Sequence, residues 1–506
     1  MKKFLALVGC LSIAGLTACS LSPADPPASL TPTQVVRTPD PAVTASPTPR
    51  PSSTSSNAGT TPTSNPEPLP DITYRLDAVY HYPEQRVQVE QHLLIPHPGI
   101  EPIQEIILAV PPNAWREVFD LIEARWGDGR PVSDLHIDGV RLTLPLDDPW
   151  LPGTTTSLVL EYSLNLPVQN AREGYGPSPF GYTDLQVNLV DWYPLVPPYD
   201  SGRGWIVHDP WIFGEYLVYP AADFQVNFQV MDGPQLTAAA SAEESGGGSV
   251  RSYQLQGARN FVLSLSPQYQ VLEEQVGATT VSGYYFPGYQ ASAEAAFQTT
   301  VEALELYSTL YGPYKQSSLA MVQADFNHGM EYEGLYFQSR GFFDTYNGTE
   351  KNFLTIIAAH ETAHQWWYGQ VANDQALEPW LDEALCTFSE LVYYEHLYPE
   401  AVDWWWAARV EYYQPEGPID GSIYDYQGIQ DQYLAYRDAT YLQGAKFLVD
   451  LRDSLGEAQF FAFLRDYLDR HEREIASEED FFNLLNEYAA LETLDWLGEY
   501  FPGRTP

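Results

Sequence analysis

Residues 352–369 read NFLTIIAAHETAHQWWYG. The run is apolar almost all round, as a helix buried in a protein interior must be, with Thr349 expected as its cap and Gly369 as its stop. Inside it stands His360-Glu361-Thr362-Ala363-His364. Histidines four apart lie one turn from each other on the same helical face, so both imidazoles can bind one ion. Glu361 is turned about 100° from His360, which lets it reach a water at that ion without being a ligand itself.

A catalytic zinc needs a third protein ligand and one open position. The next segment, QVANDQALEPWLDEALCTFSELVYYEHLYPE, predicts a returning helix with Pro379 in its first turn and Pro399 just beyond its end. Eighteen residues separate His364 from Glu383, room for a loop and that helix, and Glu378, Asp382 and Glu390 compete for the same role. Glu390 falls on the face of Glu383 two turns later and suits a carboxylate that holds a ligand imidazole by its other N–H. Cys386 shares the face and reads as a small buried residue.

Upstream the texture is different. Alternating runs such as RVQVEQHLLI (86–95), VRLTLPL (140–146), FQVNFQV (224–230) and NFVLSLS (260–266) are separated by Gly, Pro, Asn and Asp. They predict an all-β domain over 72–275, a sandwich or saddle. From about Ala291 the apolar spacing becomes helical, with strands at 318–326 and 335–340 and then helices nearly to the end, so residues 276–506 form a separate domain.

The first twenty residues carry Lys2 and Lys3, an apolar stretch too short to span a bilayer comfortably, and the ending Leu16-Thr17-Ala18-Cys19. Residues 1–18 read as an export signal, and the ending resembles the lipobox of bacterial lipoproteins, in which the cysteine becomes lipidated. Residues 19–71 are rich in Pro, Ser and Thr, with 13 of the 41 prolines between 20 and 70 and no aromatic residue there. Such a segment cannot bury enough apolar surface to fold, and reads as a disordered linker. The expectation is an exported protein, anchored through Cys19 to a membrane on the outer face of the cell envelope.

Composition narrows the function. With 25 Lys+Arg against 67 Asp+Glu, the net charge of −42 repels phosphate backbones and argues against nucleic-acid binding. Three cysteines supply no disulfide framework.

HETAH, eighteen residues, and then Glu383 within PWLDEAL resemble the gluzincin zinc peptidases and, among them, the aminopeptidase N family. Two further stretches are similar to elements of that family: His328-Gly329-Met330-Glu331-Tyr332 and Tyr441-Leu442-Gln443-Gly444-Ala445. The resemblance implies a thermolysin-like α+β catalytic domain and one Zn2+ held by His360, His364 and Glu383. It also implies Glu361 as general base and Tyr441 as donor to the oxyanion, a contact typically worth ~3 kcal/mol. Glu331, with Gly329 and Met330, would bind the free α-amine of a peptide substrate. Tyr436 is the competing phenol, and Glu333 reads as a solvated loop acid. Tyr332 stands where the family usually has Asn, and Gln443 where it has Lys. Only 65 residues follow Tyr441, which implies that the large C-terminal helical domain of many relatives is absent. For the second amine-binding residue, from the β-domain, Gln186 is the candidate. The activity so implied is removal of N-terminal residues outside the cytoplasm. The alternatives are a zinc endopeptidase, or a non-catalytic glycan-binding lipoprotein that would use the clusters Trp366-Trp367 and Trp404-Trp405-Trp406.

Overall fold

The computed structural model describes residues 71–169, 179–246, 248–326 and 329–504. Residues 1–18, expected to be an export signal, Cys19, nearly all of the segment expected to be a linker, and His328 lie outside the described residues.

The N-terminal part is built on a seven-stranded sheet in the order Glu244–Ser245, Val250–Ala258, Ala222–Met231, Ile72–His81, Arg86–Pro96, Thr155–Asn165, Phe119–Trp126. Strand alternation decides which side chains face the core: Tyr74, Leu76, Ala78 and Tyr80 are buried on one strand, and Val87, Val89, Leu93 and Ile95 on its neighbour. Smaller three- and four-stranded sheets add to the same apolar core, which includes the fully buried Trp192 and Phe261.

A second, five-stranded sheet runs in the order Gln270–Val276, Thr279–Tyr285, Ser318–Ala324, Leu335–Ser339, Gly329–Tyr332. Thr279–Tyr285 and Ser318–Ala324 are parallel, and the helix Gln290–Leu310 makes the crossover between them. The sheet of the second part therefore begins at Gln270, ahead of the expected boundary at 275. Period-two alternation marks a strand but not the sheet it joins, so QVLEEQV read as a continuation of the β-domain.

The two ion-binding helices are Phe353–Ala363 and Trp380–Leu397. The cap of the first is Asn352, whose side chain accepts from Thr355 N at 3.0 Å, and not Thr349, which bonds Asn347 in the preceding turn. Its regular turns end at Ala363 with His364 as C-cap, five residues before Gly369, because the chain tightens there into successive turns. Pro379 stands at the N-cap of the second helix, and Pro399 follows its end. A third helix, Gly444–Leu455, packs against the second so closely that a Cβ on Gly444 would lie 2.4 Å from that of Ala384.

Arg259, 2 % exposed, ties the first part to the second. Its guanidinium donates to the backbone carbonyls of Tyr219, Gly369, Gln370, Arg473 and Glu474. Its backbone N–H donates to Glu333, which is buried and also accepts from Gln316, rather than being a solvated loop acid.

Candidate metal centre and active site

His360 Nε2 lies 3.2 Å from His364 Nε2 and 3.1 Å from Glu383 Oε2, and the remaining edge of the triangle is 3.7 Å. Two donors ~2.0–2.1 Å from a zinc ion at a tetrahedral angle stand about 3.3 Å apart. The three side chains therefore fit one such ion without rearrangement, and their residue types are those zinc prefers.

Each imidazole is held by its other nitrogen. His364 Nδ1 meets Trp367 O at 3.1 Å, and His360 Nδ1 meets Glu390 Oε1 at 2.8 Å. Both Nε2 atoms are thereby aimed at the ion position. Glu390, expected in this role, is fully buried and in turn receives Arg409 Nε at 2.9 Å, Arg409 Nη2 at 2.8 Å and Trp405 Nε1 at 3.1 Å. Burial alone would raise the Glu390 carboxyl, but the Arg409 guanidinium outweighs it and holds the group below the usual range. Glu390→Gln should weaken zinc affinity about 10–100-fold, measured by competition with a chromophoric chelator. An unchanged affinity would show that Glu390 only fills space.

Without the ion the histidines divide the charge. Burial disfavours the charged form of His360, but Glu383 and Glu390 outweigh it and push the pKa up to about 10. Burial pushes His364 down to about 4. A metal binds only the neutral ring, so uptake must expel the His360 proton. Calorimetry at pH 7–8 in buffers of different ionisation heat should register at least one proton released per chain. Uptake with no proton released would mean that His360 is neutral beforehand.

Glu361 is 5 % exposed, and its Oε2 is a buried oxygen with no hydrogen-bond partner among the described residues. An unsatisfied carboxylate oxygen at this depth is costly unless a ligand or water completes it. The edge strand Gly329–Tyr332 passes so near that a Cβ on Gly329 would lie 1.9 Å from Glu361 Oε1, so a side chain there would displace the Glu361 carboxylate. Met330 is half-buried against the β-domain core, and Tyr332 turns inward, with its carbonyl accepting from Gln365 Nε2 at 3.0 Å.

Tyr441 donates to Glu383 Oε1 at 2.5 Å, and its ring stacks on His360 with centroids 5.9 Å apart and planes 10° from parallel. Tyr436 packs behind it, ring to ring at 5.8 Å, which makes Tyr441 the phenol at the ion triad. Arg409 and Tyr441 both sit in π-helical turns, Trp406–Glu411 and Asp438–Gln443, a feature frequent at functional sites.

Glu331 is buried, and one oxygen of each of Glu215, Glu331 and Glu383 lies within 4.8 Å of the others. Burial pushes both Glu215 and Glu331 well above the carboxylate range; neighbouring acids, Glu383 foremost for Glu215 and Glu215 for Glu331, add to it. Among the described residues neither forms an ion pair with Lys or Arg. Glu215 Oε2, like Glu361 Oε2, is buried and has no partner among the described residues. Such a pair suits a cation brought by a substrate.

Glu215 was missed by sequence reasoning. It enters from the β-domain after Gly214, whose φ of +69° and a Cβ position 2.7 Å from Ile423 Cγ2 demand glycine. Gln186, the earlier candidate, is instead bonded to Tyr269 OH at 2.6 Å and to Asp325 N. Cys386 is fully buried, with Sγ 3.9 Å from Trp367 O. Trp366, Trp367 and Trp405 are buried, and Trp404 and Trp406 half-buried, so these clusters are core rather than a sugar-stacking face.

The fold and site define a gluzincin-type metallopeptidase scaffold. Residues 295–500 match the Peptidase family M1 domain. It is 28% identical over 218 residues to endoplasmic reticulum aminopeptidase 1 of Mus musculus, which covers 40% of this chain and 23% of the relative. It is 26% identical over 225 residues to aminopeptidase N of Lactobacillus delbrueckii subsp. lactis, covering 40% and 26%. The chain thus spans about a quarter of the length of these curated relatives. In fold it is similar to an M1 zinc metallopeptidase from Deinococcus radiodurans, with a TM-score of 0.61 at 19% identity over 87% of this chain and 96% of the other. A mutant of that protein, solved with a Tyr-Ser-Ala substrate, matches with a TM-score of 0.59 at 19% identity over 86% and 95%.

Proposed function

We propose that the chain is a zinc-dependent aminopeptidase that removes N-terminal residues from peptides, exported and anchored to a membrane through lipidated Cys19. The observation that carries the activity is the pairing of a zinc-shaped triad with the buried Glu331 and the half-buried Glu215 a few ångströms away, neither of them ion-paired to Lys or Arg among the described residues.

Bound zinc supplies a Lewis acid that acidifies water and polarises a carbonyl at neutral pH. The residues around it do the rest. Glu331 and Glu215 receive the substrate's ammonium and so fix how far the scissile bond lies from the chain's end. Glu361, through its unpartnered Oε2, takes a proton from the attacking water and passes it to the departing nitrogen. Tyr441, which donates to Glu383 Oε1 before substrate arrives, redirects its O–H to the oxyanion as negative charge develops. Glu390 and Arg409 keep His360 oriented throughout.

The test compares free and N-acetylated forms of one peptide, with and without a chelator. Chelator-sensitive cleavage of the free form alone is expected. Equal cleavage of both forms would point to an endopeptidase, and cleavage of neither by the zinc-loaded protein to a binding module. The anchor rests on Lys2, Lys3 and Leu16-Thr17-Ala18-Cys19. Cys19→Ser should abolish labelling with radioactive palmitate and release the protein from the membrane fraction; unchanged labelling would refute attachment at Cys19.

A further inference from the structure

The loop between the two ion-binding helices carries a residue that no motif marks. Gln375 is 2 % exposed, and its single amide nitrogen lies 3.0 Å from Glu331 Oε1 and 2.8 Å from Asp382 Oδ2. The amide NH2 has two hydrogens, one for each carboxylate.

Asp382 is itself pinned. Its Oδ1 accepts from Asn373 Nδ2 at 3.2 Å and from the Glu383 backbone N–H at 2.9 Å, in the first turn of the helix that supplies Glu383. Glu331, by contrast, stands on the edge strand of its sheet, paired on one side only. Gln375 spans from the fixed carboxylate to the one that needs fixing.

We infer that Gln375 is a positioning residue for the amine anchor: it sets the place of Glu331 relative to Glu383 with a neutral donor, leaving Glu331 free to ionise against the substrate's ammonium. The contrast with Glu390 supports this. There the carboxylate has only to hold an imidazole, and Arg409 bonds it through two nitrogens and neutralises it. A lysine or arginine in place of Gln375 could bridge the same pair but would cancel the charge that binding requires.

The inference rests on the aminopeptidase reading, and the two fail differently. Gln375→Met, similar in length but without a donor, and Gln375→Lys are compared with the unmodified full chain, all zinc-loaded, on an alanine anilide and its N-acetyl derivative. Gln375→Met should raise KM for the free anilide roughly 10–100-fold while kcat stays within about threefold. Zinc content should stay at that of the unmodified chain. Gln375→Lys should lose the preference for the free amine. A merely structural role would lower kcat and zinc content together and leave KM alone, and that result, or an unchanged KM in Gln375→Met, overturns the inference. If Gln375→Met does not fold, Gln375→Lys decides; failure of both to fold assigns the residue to the fold and also overturns it. No preference for the free amine in the unmodified chain would sink the aminopeptidase reading itself.

Discussion

Glu361→Gln is expected to leave the protein folded and able to take up its ion while lowering kcat on an aminoacyl anilide by about 10²–10⁴-fold, the range for removing a general base. Glutamine has the same shape, which matters where the backbone at Gly329 leaves no space beside Glu361 Oε1. What it lacks is a basic oxygen at the position of Oε2, the atom with no partner among the described residues. A kcat within about threefold of the unmodified chain would remove Glu361 from the chemistry. The pH profile gives a second reading. Burial pushes the Glu361 carboxyl up to about 8 against the pull of the His360 charge, and a doubly charged ion in place of that proton pulls it further down. Because the base works only when ionised, kcat/KM of the loaded enzyme should rise with pH along an acid limb lying below 8. Glu361→Gln should flatten that limb.

Glu331→Gln should act on recognition rather than on proton transfer. It removes one charge from a buried pair whose other member is the substrate's ammonium, a loss of about 2–5 kcal/mol, or roughly 30- to several-thousand-fold in kcat/KM for aminoacyl anilides. Residual hydrolysis of N-acetylated peptides should not fall with it, since those substrates offer no ammonium. Glu215 shares the site, so the double substitution should cost less than the sum of the singles. Undiminished cleavage of free anilides by Glu331→Gln would refute the amine-anchor role.

What could be read from the sequence was whatever a helix or a fixed spacing encodes. His360, Glu361 and His364 follow from the 3.6-residue turn, and the shared face of Glu383 and Glu390 from two turns of the next helix, whereas the choice of Glu383 over Glu378, Asp382 and Glu390 as third donor came from resemblance. Glu331 and Tyr441 came from resemblance, because a strand edge and a π-helical turn leave no periodic signature. Glu215 could not be reached this way. It lies far upstream in a loop of another sheet system, and only the positive φ of Gly214 hints that the chain turns inward there. Arg409 and Gln375 are likewise products of tertiary packing: each is a polar residue in an irregular stretch, and only the carboxylate it meets gives it a purpose. The strand Gln270–Val276 joined the second sheet because alternation specifies a face, not a partner.

The most direct measurement is anomalous diffraction at the zinc edge from crystals of the loaded protein. One peak per chain is predicted, ~2.0–2.1 Å from both His360 Nε2 and His364 Nε2 and ~2.0–2.2 Å from Glu383 Oε2. A peak elsewhere, or the three side chains ordered with no scatterer among them at saturating zinc, would contradict the account.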